Sequence, residues 1–351
     1  MTAKQSHFLV VGAGLAGLCV SIQLIRKGAK VTLLDSGQNN SSAVAAGMIN
    51  PLVFRRTTKS WRVDEFLPYL TTFYRELECL TNRSFFHPVA IRRLFAHVQE
   101  QETWMKKQDD DGYKAYMYRL NEDDALYAAV SNEYGSGRVK EASFIQVSTF
   151  LGATKAWVAD HARVVEETLD YSNLNGAYYK GVEYTGIVFC EGYQAKTNPW
   201  FSYLPMDQTK GETLQIRAQN LPENESLNRK CFVLPLGNKT FRVGATYGWK
   251  DPSLHTTEAA RAELLEKLAS LTEEDVEVLN QIAGVRPTSI DRRPFIGTHP
   301  ELNKYHIFNA LGAKGYMLAP LLSEEFADYL LDEKSLDREV DIARFTQRSS
   351  H

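Results

Sequence analysis

Short apolar blocks separated by glycine dominate the start of the chain. Phe8-Leu-Val-Val11 predicts a strand, Leu15 to Lys27 a helix ended at Gly28, and Val31-Thr-Leu-Leu34 a second strand. A strand, a helix and another strand in so short a stretch predict a βαβ crossover with parallel strands. After Asp35 the pattern changes to a small-residue, polar loop from Ser36 to Ala46, followed by Gly47-Met48-Ile49-Asn50-Pro51. Phe66, Leu70, Phe73, Leu77 and Leu80 then recur at 4-3-4-3 spacing, which predicts one buried face of a helix. Pro68 is compatible with that helix only if it begins close before it. Further on, the pattern predicts a helix from Val147 to Ala159 and a strand Arg163 to Thr168. A hairpin is predicted from Gly176 through Lys180-Gly181 to Glu183–Phe189. Ala90 to His97, Cys231 to Leu236 and Thr240 to Thr246 read as strands, the last two joined by the hairpin signal Gly237-Asn238-Lys239. Thr257 to Leu271, with Leu264, Leu265, Leu268 and Leu271 on one side, reads as a covering helix. Asp109-Asp-Asp-Gly112 reads as a polar turn without metal-ligand spacing, and the tail Arg344 to His351 is expected to be mobile.

Composition narrows the function classes. Forty basic against 43 acidic residues in 351, a net charge of −3, leave no bulk cationic excess for a phosphate polymer or an anionic bilayer. A nucleic-acid partner is therefore not expected. No apolar run reaches the roughly 18 residues of a membrane span. The apolar N-terminal stretch is broken by glycines at fixed offsets and by Ser21 and Gln23, and it reads as a folded unit in a cytoplasmic protein, not as a secretion signal. The four cysteines, Cys19, Cys79, Cys190 and Cys231, form no C-x-x-C pair and fit reduced, buried thiols. His87, His97, His255, His299 and His306 show no ligand spacing and are read as structural.

The chemistry begins between the first strand and helix. Gly12-Ala13-Gly14-Leu15-Ala16-Gly17 is a G-x-G-x-x-G. Gly12 permits the tight turn, Gly14 lets a pyrophosphate approach the backbone, and Gly17 lets helix and strand pack closely. The helix N-terminus then faces the phosphate charge. Asp35, followed by Ser36, lies 18 residues past Gly17, near where a ribose-binding acid belongs. This pattern implies a dinucleotide but does not choose between NAD and FAD. An ordinary nicotinamide dehydrogenase would continue with alternating helices and apolar strands, and this chain does not.

Five segments carry a resemblance. Ser41-Ser42-Ala-Val-Ala-Ala46-Gly47-Met48 resembles the second flavin-contacting loop of the D-amino-acid oxidase (DAO) family, most closely its glycine oxidase and sarcosine oxidase branch. Gly186-Ile-Val-Phe-Cys190-Glu-Gly192 resembles the strand and glycine turn that close the adenine side. Lys210-Gly211-Glu-Thr-Leu214 resembles the crossing into the substrate domain, and Gly284-Val-Arg286-Pro287, with Asp291 and Pro294-Phe-Ile-Gly297, the family's G-x-R-P…D…P-x-x-G segment. Gly312-Ala313-Lys314-Gly315-Tyr316-Met317 resembles the loop that opens the last helix beneath the flavin. The resemblance implies an α/β fold in which an FAD-binding Rossmann-like domain (1–82, 140–212 and 285–351) is interleaved with an antiparallel α+β substrate domain (83–139 and 213–284).

It also implies non-covalent FAD, held by these loops, and hydride transfer to flavin N5 from a small amine or amino acid. No cysteine lies beyond Cys231 and no histidine between Asp35 and Phe54 to attach the flavin covalently. Arg286 stands at the family's arginine as the carboxylate clamp, with a structural ion pair to Asp291 as the alternative. Lys314 would add charge beside the reduced flavin. Phe232 stands where the family often places a tyrosine, offering an apolar wall and no hydroxyl. Arg55, Arg56 and Lys59 imply extra substrate charge if they reach the cavity, and a solvated basic surface otherwise. Two other readings remain open at this point: a tRNA-modifying flavoprotein oxidase, and a flavin-binding protein without turnover. Oligomeric state is unknown from the sequence.

Overall fold

The computed structural model describes residues 5–38, 41–120, 127–249 and 251–346. The predicted crossover forms: strand His7–Val11 pairs in parallel with strand Lys30–Asp35, and helix Leu15–Arg26 connects them. Lys27 caps that helix and Gly28 follows with φ +82°, a conformation natural to glycine. Strands Arg163–Glu166, Gly186–Phe189 and Tyr305–Asn309 extend the sheet in parallel, and Phe295–Thr298 closes one edge antiparallel. Helices Leu15–Arg26, Val63–Thr81, Val147–His161 and Gly315–Asp332 cover one face. Phe8 and Val10 of the sheet meet Leu18, Phe66, Phe150 and Phe326 there in one core. Each such side chain contributes roughly 1.5–3 kcal/mol on burial. The other face, with Leu9, Val11, Ile187, Phe189 and Ile307, packs against the hairpin Tyr178–Tyr179/Val182–Glu183 and the segment around Phe201 and Leu204. Val182–Glu183 and Gly186–Phe189 are separate strands because the chain leaves the hairpin at Tyr184 to join the parallel sheet.

A second, seven-stranded sheet stands beside the first. Its strands run in the order Glu277–Ser289, Met206–Arg217, Thr240–Gly244, Phe232–Gly237, Glu225–Asn228, Ala90–Leu94 and Ser136–Val139. It is antiparallel except where Glu225–Asn228 pairs in parallel with Ala90–Leu94. The predicted turn at Gly237-Asn238-Lys239 is present, with all three residues at positive φ. One face is apolar: Leu214, Val243, Val233 and Leu227 pack under Leu264 and Leu268 of helix Glu258–Ala269. The opposite face carries Gly211, Thr213, Gly244, Phe232, Gly284 and Arg286, because residues two apart on a strand and residues paired across it share a side. The expected domain cuts at 212/213 and 284/285 fall inside Met206–Arg217 and Glu277–Ser289, which run through them unbroken.

Several expectations need correction. Leu80 is 53% exposed, because the helical stripe leaves the core after Leu77. That helix starts at Val63, so Pro68 lies inside it. Ser41–Val44, expected as loop, is a helical turn. Cys79 is exposed, unlike the other three cysteines. Arg344 is fixed by hydrogen bonds to Asp291 and to the Arg293 and Pro294 carbonyls, so the tail is anchored there; residues 347–351 lie outside the described residues.

The crossover depends on close backbone packing at two glycines. A Cβ on Gly17 would lie 1.8 Å from the Gly12 carbonyl oxygen. Gly17→Ala must push helix from strand, and it is expected to destabilise the protein by about 3 kcal/mol, read as a lower melting temperature. An unchanged melt would contradict the packing.

Candidate active site

A cavity of about 430 Å³ opens between the two sheets. Its floor is made by the starts of two helices, at Gly14, Leu15 and Ala16 and at Gly312 to Met317. These starts touch: a Cβ on Gly315 would lie 3.0 Å from Leu15 Cδ2. Neither helix has a side-chain cap or an acidic residue in its first turn. Both therefore present the positive ends of their dipoles to the cavity.

The turn Ser41–Val44 forms the next wall. The Leu15 amide donates to Ser42 Oγ (3.0 Å), Ser41 Oγ donates to the Val285 carbonyl (2.5 Å), and Tyr316 Oη donates to the Ser42 carbonyl (3.0 Å). Arg242 donates to the Ala45 carbonyl at 2.9 Å. Val44 rests over Gly284, where an added Cβ would lie 3.1 Å away. Ala46, Gly47 and Met48 continue this wall, with Gly47 at φ +71°. Gly192 lines the far end, its carbonyl accepting from Asn309 Nδ2 (3.0 Å).

The glycine-rich sheet face supplies the roof. Arg286 lies along it, and its guanidinium occupies the space that a side chain at Gly211 would fill, 2.2 Å from the ideal Cβ. It reaches the Thr246 carbonyl at 3.4 Å and stacks on the Tyr247 ring, 4.7 Å from the centroid. The anticipated alternative partner, Asp291, binds Arg344 instead. Arg286 has no carboxylate partner among the described residues, and burial pulls its guanidinium below its ordinary value. Phe232 lies over Gly244 and lines the cavity.

Lys314 is half-buried. It donates to the Asn50 carbonyl (3.1 Å) and to Ser60 Oγ, both neutral, and burial lowers its ammonium from 10.5 to about 8. Lys230, exposed at the rim, has no ion pair among the described residues. The described lining thus holds three cations, Lys230, Arg286 and Lys314, and no Asp or Glu. Cys190 also lines the cavity, but burial raises its thiol well above the ordinary value and keeps it protonated.

Other expected residues lie outside the lining. Gly12 and Gly17 serve the strand–helix contact, and Ala13 lies between them. Asp35, with Ser36 after it, lies off the cavity; burial opposes its charge, but Lys155 (2.7 Å) and the Gly37 amide hold its carboxyl below the ordinary range. Arg55 and Arg56 are exposed in a turn away from the lining, and Lys59 pairs with Asp64. The basic stretch therefore does not reach the cavity. Sequence reasoning missed Tyr247, Thr213 and the spacing role of Gly211. The signal available for Gly211 was a glycine inside a predicted crossing strand, where a side chain is normally wanted.

The chain is 25% identical to the bifunctional protein ThiO/ThiG of Trichormus variabilis over 93% of this chain and 53% of that protein. It spans about half the length of the first curated relatives it matches. Glycine oxidase of Bacillus subtilis is 21% identical, covering 94% of each chain. The crystal structure of iminodiacetate oxidase from Chelativorans sp. BNC1 superposes with a TM-score of 0.80 at 17% identity, covering 95% of this chain and 98% of that one. Among the described residues no helix is long and apolar enough to cross a membrane. The family model for FAD dependent oxidoreductases, DAO, matches residues 7–329, and the chain belongs to that family.

Proposed function

We propose that the protein oxidises the C–N bond of a small carboxylated amine or amino acid, with FAD held non-covalently and Arg286 binding the carboxylate. One observation carries this reading: a half-buried, partly desolvated guanidinium without a carboxylate partner faces a cavity whose described walls hold no acid. Burying an unpaired cation is costly, and a carboxylate ligand offers two oxygens that match the guanidinium fork.

The residues fit FAD. The glycines at the first helix start leave backbone exposed where a pyrophosphate would rest, and Ser42 already fixes the adjacent amide. The second uncapped helix start, with Lys314, suits the negative charge of a reduced flavin ring. Bound FAD would supply the oxidant for the C–N bond, as acceptor of the hydride from the carbon next to nitrogen. The chain's own part is orientation: Arg286 fixes the carboxylate, Phe232 and Tyr247 enclose the carbon skeleton, and the sheet face excludes water. Glycine oxidase and iminodiacetate oxidase, two of the similar proteins, take their names from carboxylated amines.

Arg286→Ala should raise KM for a reducing amino acid by about 10- to 100-fold, the worth of a charge-assisted hydrogen bond pair, while FAD content is retained. An unchanged KM would remove the clamp. Lys314 sets a pH dependence in the FAD-free protein. Below about pH 8 folded and unfolded chains both keep its proton, and the full cost of burying the charge is felt. Between about 8 and 10.5 the folded chain has released the proton while the unfolded chain keeps it, so stability rises with pH. The melting temperature of wild type relative to Lys314→Met should therefore climb across that window; a flat difference would contradict the burial of Lys314.

A further inference from the structure

With Arg286 taking a carboxylate and Lys314 facing the flavin, one cation of the cavity is left over. Lys230 is exposed at the rim and has no ion pair among the described residues. Asn228, two residues before it, is half-buried and also lines the cavity. Its Oδ1 accepts from Arg93 Nη1 at 2.7 Å, and Arg93 is itself held by Glu100 Oε1 at 2.7 Å. Because an arginine only donates, this contact fixes the amide with its oxygen toward Arg93. The amide nitrogen, Nδ2, then has no hydrogen-bond partner among the described residues, and it is not sealed from solvent. The sheet places these two donors across the cavity from Arg286. Thr213, Gly244, Phe232 and Asn228 form one row over four strands, and Gly211, which the Arg286 guanidinium covers, precedes Thr213 by one pleat repeat. Three strand spacings, roughly 14 Å, thus separate the strand under the guanidinium from the strand of Asn228. The walls between are apolar at Phe232 and at Phe54, whose ring packs on Arg93 at 5.2 Å.

From this arrangement we infer that the substrate is a dicarboxylated amine, its second carboxylate received by the Lys230 ammonium and the Asn228 amide while Arg286 holds the first. The inference rests on the carboxylate reading of Arg286. A carboxylate accepts from more than one donor at once. Here the ammonium supplies charge and the amide supplies direction, already set by Arg93, so little freedom is lost on binding. Length agrees as well. Two carboxylates joined through three atoms, with a charge-assisted contact of about 3 Å at each end, span on the order of 12 Å. Iminodiacetate, with the nitrogen inside the link, has that length, and so does glutamate, with the nitrogen as a branch. An amine with one carboxylate leaves Lys230 and Asn228 to water, so these two residues select among amines.

The experiment uses the FAD-loaded protein and three probes: sarcosine, iminodiacetate (sarcosine with a second carboxylate) and glutamate. The half-saturation concentration for anaerobic flavin reduction and the shift in melting temperature are read for each. Wild type should take at least one dicarboxylated probe about 10-fold more tightly than sarcosine. Iminodiacetate ahead of glutamate identifies a secondary amine, and the reverse order an α-amino diacid. Lys230→Met should erase that preference, and Lys230→Arg should keep it. Asn228→Asp retains an acceptor for Arg93 and sets a negative charge against the second carboxylate, so it too should erase the preference. Sarcosine binding as tightly as both dicarboxylated probes, or a preference that survives Lys230→Met, would overturn the second site. The Arg286 reading is judged separately, by sarcosine on Arg286→Ala. If sarcosine binds through Arg286 and the dicarboxylated probes gain nothing, only the second site is lost. If sarcosine binds wild type and Arg286→Ala alike, or no probe binds at all, the clamp fails and the second site falls with it.

Discussion

Positive charge partly withdrawn from water governs this cavity. Two helix starts, a half-buried lysine and a half-buried guanidinium converge on one space, and the described lining offers no carboxylate to balance them. In a medium of low dielectric such an arrangement is tolerable only when anions complete it. On the proposed reading, FAD would supply negative charge at the helix starts and a carboxylated substrate would supply it at Arg286. The same deficit thus explains why the site would bind both, and why the protein does not need a bulk cationic surface to do so.

The scaffold that keeps these charges apart from counter-ions is built by omission of side chains. Gly211 yields its space to the Arg286 guanidinium, Gly284 to Val44 and Gly244 to Phe232. Gly211 and Gly284 belong to long strands, Gly244 ends a short one, and the sheet's other face is an ordinary apolar core under a helix. Because the two long strands run without a break from beside the turn Ser41–Val44 to the outer part of the sheet, the roof of the cavity is continuous with both halves of the molecule. That continuity allows a turn such as Ser41–Val44, itself only one helical turn long, to be placed by contacts from both sides.

Much of the cofactor half was readable from the chain, because its signals are local. The glycine spacing at Gly12 to Gly17 sits between two apolar runs, and the last glycine-rich run precedes a helical pattern that the structure contains. The substrate half was less readable, since its meaning lies in register. That Thr213 faces Gly244, and that Gly211 lies beneath the Arg286 side chain, follow from pairings between residues more than 30 positions apart. Tyr247 was missed for the same reason: it follows a strand without regular structure of its own and meets Arg286 only through the fold. The pairing of Asp291 with Arg344 was equally distant, and knowing it would have removed the competing role for Arg286 at once. Leu80 shows the reverse limit, a position that fits the periodicity but lies where the helix has already passed the edge of the core.

The central claim, that the cavity is completed by FAD and a carboxylated amine, is tested most directly by the visible spectrum of the purified protein before and after anaerobic addition of N-methyl and α-amino acids. The account predicts a yellow protein whose flavin band bleaches with at least one of these compounds, and whose chromophore is released into solution on denaturation. A folded protein that is colourless and takes up no added FAD, or one whose flavin stays oxidised with every carboxylated amine tried, would contradict it.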